Sequence, residues 1–490
     1  MVGPHDKRQH MQEIAMSGSS QNSKVTALSS ASGSGPDWPE RWKTLEHGIR
    51  VGRYVDEDFA QLEYDKLWSK VWQAAARVDE IPAVNDFTTY EIGDQSVFLV
   101  RSDADTIKAY HNVCPHRGTA LTEGAGTFDH GNIICPFHGW RWDTEGANHY
   151  ILAREEFKNG ELCAADVALK ELQCEVYAGF VFINFDSDPQ PFDEFIAPVR
   201  ELCDDLNIGE MRHYWWKSIP VDSNWKVAQE AFFEGYHVPA THPQLETAAA
   251  DFIYGEKIEG EFEEYNHHNV AYDTFDNGHG RFYAGKASNY QGNVKRFAIN
   301  KDPVDAMADR LQLLVDGMDA QVLQADVDLL RTLKGNIPED SNLGAEYVRV
   351  LYADAAEKER PMPKLTPEIL SMWGGMIFIF PNLLILPQAG NAMIYRVRPH
   401  PEDVNRSTFE IYSTRTLPAA APRERAVVEV VDNPDDPDQV YLIPRQDLGN
   451  LKRIQKGLHS RSIRQVWLAS YNEKIILGMH QEMDTYLQAE

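Results

Sequence analysis

The chain has 490 residues, 43% apolar and 25% charged; at about 150 residues per domain this leaves room for three domain-equivalents and excludes disordered and fibrous classes. Its 47 Lys and Arg against 75 Asp and Glu set a net charge of −28, which argues against nucleic acid as the main partner and against a polybasic membrane contact. Five cysteines (Cys114, Cys135, Cys163, Cys174 and Cys203), an odd number crowded into about ninety residues, exclude a disulfide-stapled secreted scaffold and favour a reduced, cytoplasmic chain.

Residues 1–40 read as a Ser/Gly/Ala-rich disordered tail without the apolar core of a signal peptide; Met11 and Met16 are alternative starts. A helical pattern covers 56–70. Short strand-like runs follow at 87–92, 96–101 and 107–113, separated by Gly and Asp turns. Further strands are expected at 175–184 and 212–221, and a helix begins after Asn224. The stretch 256–359 is long and polar, with a helical part near 304–333. The longest apolar run, MWGGMIFIFPNLLIL at 372–386, is too short to span a bilayer, and Pro381–Asn382 splits it into two buried strands. Strands return at 393–398 and 408–415. Asp432, Asp435, Asp436 and Asp438 mark a Pro-broken acidic loop, and two helical stretches close the chain. A small β domain followed by a larger α+β domain is the expected organisation.

Two clusters carry chemistry. The first is CPHRG at 114–118 and CPFHGW at 135–140. Each half pairs one Cys with one His, whereas a Cys2His2 zinc finger usually pairs Cys with Cys and His with His. The mixture suits two loops approaching a two-iron cluster, with Cys114 and Cys135 on one iron and His116 and His138 on the other. This is Rieske [2Fe–2S] ligation. Structural zinc is the alternative. Pro and Gly beside each ligand pair rigidify tight loops. Cys163, Cys174 and Cys203 read as small buried hydrophobes, and His111 and His130 fit no ligand spacing.

The second cluster lies in NWKVAQEAFFEGYHVPATHPQL, 224–245. As a helix from Trp225, it places Glu230, Phe233, Glu234 and His237 on one face. Pro239 is expected to end that helix, so His242 comes from the following turn. Two imidazoles with one carboxylate and open positions form the facial triad of non-haem Fe(II) oxygenases. The candidate carboxylate is Asp447, which shares a helical face with Leu451, Ile454 and Leu458. An acid favoured by the helix dipole is an equally good reading of Asp447 on spacing alone. His267, His268, His279 and His459 are read as structural, and Trp373, Met376, Phe378 and Phe380 as pocket-wall or core residues.

With NVCPHRG, CPFHGW, NWKVAQEAFFEGYHVPATH, IFPN and QDLGNLKRIQKGL in this order, the chain resembles the large (α) subunit of Rieske non-haem iron oxygenases from about residue 68 to 458. The resemblance implies an α+β chain: a β-sandwich Rieske [2Fe–2S] domain over 55–172 and a helix-grip (START-like) catalytic domain over 173–490. A helical segment at 41–54 would pack on the catalytic domain. It implies Cys114, His116, Cys135 and His138 as cluster ligands, and His237, His242 and Asp447 as ligands of a mononuclear Fe(II). Glu234 would be the acid bridging the two centres across a subunit boundary, through His138 of a neighbour. O2 is the implied co-substrate and a separate ferredoxin or flavin reductase the electron donor. The implied assembly is a homotrimer, with or without a small β subunit. Two departures stand out. The bridging acid is most often Asp, the longer acid also occurring in the branch that oxidises quaternary amines, and Ala231 stands where many relatives have Asn. The expected activity is mono- or dihydroxylation of an apolar aromatic or alicyclic substrate. Oxidative N- or O-demethylation or quaternary-amine monooxygenation is the alternative within the class, and an electron-transfer-only Rieske protein is the alternative outside it.

Overall fold

The computed structural model describes residues 38–242, 244–245, 270–284 and 301–489. The expected tail lies outside them up to residue 37, as do His267 and His268 and residues 256–269 and 285–300 of the polar stretch.

The first half builds two small sheets around one apolar core. Strands Asp86–Ile92, Gln95–Arg101, Ile107–His111 and Ala125–Thr127 form a four-stranded antiparallel sheet. Ile133–Ile134, Arg141–Trp142 and Asn148–Tyr150 form a three-stranded one. Alternation along the longer strands turns Phe98, Val100 and Tyr110 toward Phe128, Trp140 and Trp142, as a two-residue period requires. Cys114 and Cys135 are buried in this same cluster.

The second half is organised by an eight-stranded sheet. In spatial order it runs Val270–Thr274, Gly280–Ala284, Met376–Ile379, Leu383–Pro387, Asn391–Pro399, Ser407–Thr416, Met211–Val221 and Glu429–Val430. Every pairing is antiparallel except the last. The apolar run at 372–386 is therefore a hairpin turned at Pro381–Asn382, as expected. Asn382 also exchanges hydrogen bonds with the backbone of Ala74 (3.1 and 3.2 Å), which fastens the hairpin turn to strand Gln73–Arg77. The helix Leu442–Leu458 buries Leu448, Leu451 and Leu458 in the core that the sheet supplies. No helix among the described residues is long and apolar enough to cross a membrane.

Several local expectations are corrected. Residues 175–184 are not one strand but a hairpin, Gln173–Tyr177 and Phe180–Asn184. Ala178 and Gly179, both at positive φ, turn the chain between them. The segment 41–54 is mixed and not one helix: between a 3-10 turn at Glu40–Trp42 and a single helical turn at Gly52–Val55, strands Thr44–Leu45 and Gly48–Arg50 pair with each other, and Gly48–Arg50 also pairs with Gln465–Trp467. The helical part expected near 304–333 is present, as two helices, Pro303–Met318 and Gln324–Arg331. Their Val304, Leu311, Val327 and Leu330 join Leu343 and Leu351 in a separate apolar cluster. Cys163 is exposed and Cys174 half-buried; among the three non-ligand cysteines only Cys203 is buried as expected.

A buried ion pair ties the sheet together. Arg396 grips Glu410 on the adjacent strand through Nε–Oε2 (2.6 Å) and Nη2–Oε1 (3.0 Å), and also donates to the Ala75 carbonyl. Glu410→Ala removes the bidentate partner of a buried guanidinium and leaves it only Glu80 Oε1 at 3.8 Å. It is expected to lower stability by about 3–5 kcal/mol, read as a drop in the urea midpoint at unchanged slope.

Candidate metal centres

The two Cys/His loops are built alike. The Cys114 N–H donates to the Thr119 carbonyl (2.8 Å) and the Gly118 N–H to the Cys114 carbonyl (2.9 Å). The Cys135 N–H donates to the Trp140 carbonyl and the Gly139 N–H to the Cys135 carbonyl, both 2.9 Å. Each loop thus returns on itself from Cys to the Gly four residues on. Gly118 (φ 81°) and Gly139 (φ 70°) occupy the left-handed region that this reversal demands. The spacings C-x-H and C-x-x-H are one turn with the imidazole placed one residue earlier or later.

The loops bring all four predicted ligands together. Cys114 and Cys135 are buried, and burial, with the neighbouring Cys135 sulfur, pushes the Cys114 thiol up to about 11. The rings of His116 and His138 lie 4.6 Å apart, and His116 stacks on Trp140 at 4.6 Å and 9°. Burial, helped by His138 and Arg117, holds His116 below its ordinary value, in the neutral form a metal needs. His116 Nδ1 is buried without a hydrogen-bond partner among the described residues. Two adjoining buried thiols, an orphaned ring nitrogen and a mixed S2N2 donor set fit an iron–sulfur cluster. Cys114→Ser is expected to bleach the cluster's visible absorption; an unchanged spectrum would place the cluster elsewhere.

The second centre departs from the expected local structure. The helix after Asn224 ends at Glu230, the chain turns through Ala231–His237, and a second short helix runs Val238–Thr241. Pro239 lies in the first turn of this second helix, where its missing N–H costs nothing. It opens a helix and does not close one. Glu230 consequently leaves the Glu234–His237 face. It accepts from Tyr54 (3.1 Å) and contacts His480 Nε2 (2.8 Å), and its burial raises the carboxyl to about 8. Glu234 and His237 still meet, because the turn folds them back on each other. His237 Nδ1 lies 2.8 Å from Glu234 Oε1, and the His237 backbone N–H donates to Oε2 at 3.0 Å.

Asp447 arrives from the other side, on Leu442–Leu458. Its helix face is Asp447, Leu448, Leu451, Gln455 and Leu458; Ile454, expected on that face, is exposed. Asp447 Oδ1 stands 3.1 Å from His242 Nε2 and 3.6 Å from His237 Nε2. One donor atom from each of the three residues lies within 4.8 Å of the others. Each imidazole is held by its far nitrogen: His237 Nδ1 by Glu234, and His242 Nδ1 by Gln446 Oε1 at 2.9 Å. Both Nε2 atoms thus point at one spot, the usual arrangement of metal-ligating histidines. Burial pulls the His237 imidazole down, but Glu234 and Asp447 outweigh it and hold it above its ordinary value, so the site favours positive charge. Two imidazoles and one carboxylate, converging and anchored, fit a mononuclear iron.

Several residues were not singled out in the sequence. Gln446 opens the QDLGNLKRIQKGL stretch but has no role assigned from it, and Gln244 has no motif signal. Trp140 was visible only as the aromatic closing CPFHGW. Among the residues read as structural, His279 is buried with both ring nitrogens engaged, by the Phe195 carbonyl and the Phe380 N–H. Phe378 and Phe380 are fully buried core side chains.

Fold and sites together define an iron–sulfur β domain joined to an α+β domain with a two-His, one-carboxylate centre. Two family models match this division: the Rieske [2Fe-2S] domain over residues 71–161, and the ring hydroxylating alpha subunit (catalytic domain) over residues 208–489. The chain belongs to the α subunits of the Rieske non-haem iron oxygenases, a family of oxidoreductases. The two domains imply a Rieske [2Fe–2S] cluster and a mononuclear iron, with O2 as co-substrate. Over 233 residues the chain is 28% identical to the methanesulfonate monooxygenase hydroxylase subunit alpha of Methylosulfonomonas methylovora, covering 46% of this chain and 55% of that one. Over 195 residues it is 31% identical to the carnitine monooxygenase oxygenase subunit of Escherichia coli, covering 39% and 50%. The matched segment thus spans about half the length of these relatives. Among solved structures, a naphthalene 1,2-dioxygenase superposes with a TM-score of 0.62 at 16% identity, over 90% of this chain and 93% of that one; this likeness concerns the fold alone.

Proposed function

We propose that the chain is the terminal oxygenase component of a Rieske system. Cys114, His116, Cys135 and His138 hold the cluster, and His237, His242 and Asp447 hold the iron. The observation that carries this is the convergence of three donor atoms within 4.8 Å while both histidine Nδ1 atoms are engaged elsewhere. When bound, the two groups supply one-electron storage and O2 activation. The chain's own side chains hold and orient. Glu234 fixes the His237 ring and is the acid proposed to couple the two centres across a subunit boundary. An electron-transfer-only protein would need the first cluster alone, so it gives no account of this second donor set. Electrons are proposed to come from a separate ferredoxin or flavin reductase, and the assembly to be a cytoplasmic homotrimer, with or without a small β subunit.

For the substrate, we favour a small polar amine, oxidised as a quaternary-amine monooxygenase or oxidative N-demethylase would. Two features support this. The coupling acid is the longer Glu234. The 31% identical relative is a carnitine monooxygenase. The second reading, hydroxylation of an apolar aromatic or alicyclic substrate, draws on the apolar packing of Phe233 against Phe378 (4.4 Å) next to Glu234. The test is turnover with a surrogate reductase and isotopically labelled O2, followed by product mass analysis, on a panel of quaternary amines and aromatic hydrocarbons. Label entering only the aromatic panel would reverse the ranking.

A further inference from the structure

The three donors of the iron site come from two elements about 200 positions apart in sequence, and something must hold those elements at the right separation. The side chains that do so lie on one face of the Asp447 helix. Gln446 Oε1 accepts from His242 Nδ1 (2.9 Å) and from Gln244 Nε2 (2.7 Å). Gln446 Nε2 donates back to Gln244 Oε1 (3.1 Å). One turn further along the same helix, Asn450 Nδ2 donates to Thr241 Oγ1 (3.2 Å). The segment 241–244 is therefore clasped at three successive described side chains, Thr241, His242 and Gln244, by the helix that carries Asp447.

We infer that Gln446 is the positioning residue of the iron site. Its amide oxygen sets the His242 tautomer, and its reciprocal pair with Gln244 closes the two ligand-bearing elements on each other. The inference rests on the iron-site reading above and deepens it.

The chemistry follows from the inventory of donors. A neutral imidazole has one N–H and one lone pair. The Gln446 oxygen already takes the Gln244 N–H, so it meets Nδ1 of His242 as an acceptor, and Nδ1 must carry the proton. The lone pair is then on Nε2, which faces Asp447 Oδ1 at 3.1 Å. The two histidines differ in a way that the sequence does not announce. His237 is backed by the carboxylate of Glu234 and His242 by a neutral amide. The neutral amide orients without adding negative charge to a site that already has Asp447 and Glu234. Because Gln446 adjoins Asp447 in the chain, one backbone segment delivers both a ligand and the support of a second ligand. Such partners of metal-bound histidines typically change metal affinity 10–100-fold when lost.

The test is anaerobic Fe(II) binding by the full-length protein, with the cluster in place and the mononuclear site emptied by chelation. Equilibrium dialysis reads the affinity, and the cluster's visible absorption reads folding. Gln446→Leu is expected to weaken Fe(II) binding by about 10–100-fold with the cluster spectrum unchanged. Gln446→Glu keeps an acceptor for His242 and is expected to stay within a few-fold of the parent. Gln244→Ala removes half of the clasp and is expected to give a smaller loss than Gln446→Leu. Parent-like affinity in Gln446→Leu overturns the inference, as does a loss in Gln446→Glu as deep as that in Gln446→Leu. If Gln446→Leu does not fold, the contrast between Gln446→Glu and Gln244→Ala decides: Gln244→Ala must be the weaker binder. Failure of the iron-site reading looks different, because the parent protein would then take up no stoichiometric Fe(II) and His242→Ala would change nothing.

Discussion

His237→Ala protein is expected to show no turnover above background while keeping the full visible absorption of its cluster. His237 is the ligand candidate joined to both halves of the proposed electron path. Its Nε2 faces Asp447 and its Nδ1 is held by Glu234. Alanine removes one of three donors from a site that has no fourth among the described residues. Iron content is expected to fall from about three to about two per chain, the loss being the mononuclear ion and not the cluster pair. The four Cys/His residues of the first centre share no hydrogen bond with His237 among those described, so their spectrum is an internal control. Surviving turnover would show that the chemistry occurs at some other site.

Glu234→Gln is expected to lower turnover by about 10–100-fold with both metal centres retained. The parent carboxylate accepts twice from residue 237, from the ring Nδ1 and from the backbone N–H. The amide has one acceptor oxygen to offer. Whichever contact it keeps, the other sets an NH2 against an N–H donor, and the negative charge that raises His237 is gone. Full iron occupancy with slowed turnover is the signature of a coupling acid. Loss of iron would make Glu234 a support of His237 only, and normal turnover would place the coupling elsewhere.

The functional residues were unusually legible because their spacing is chemistry. C-x-H and C-x-x-H within Pro/Gly-framed loops admit few readings, and the loops proved to be one repeated turn. His237 and His242 do converge on Asp447, although through a helix that does not exist as one piece. Periodicity read 224–237 as continuous because apolar residues recur at helical spacing across the break after Glu230. Tertiary contacts outweighed that local signal: Glu230 is drawn to Tyr54 and His480, and Glu234 is turned back onto His237. The misplacement of Ile454 has the same origin. Gln455, a polar side chain, is the inward residue on that turn because it donates to Asn405 (2.8 Å) and accepts the Asn224 N–H (2.9 Å). A hydrophobicity pattern has no means of anticipating a buried amide that is satisfied from distant segments.

By itself the sequence carried the candidate donor residues and the order of the two domains, because these depend on residue type and local spacing. Only the tertiary structure decided the pairing of Asp447 with the histidines, which spacing had left level with a helix-dipole role. It also decided the clasp by Gln446 and the diversion of Glu230 into a separate buried network. These depend on which surfaces meet across some two hundred residues. Hydrogen-bond satisfaction of buried polar groups, which has no local sequence signature, selects those meetings.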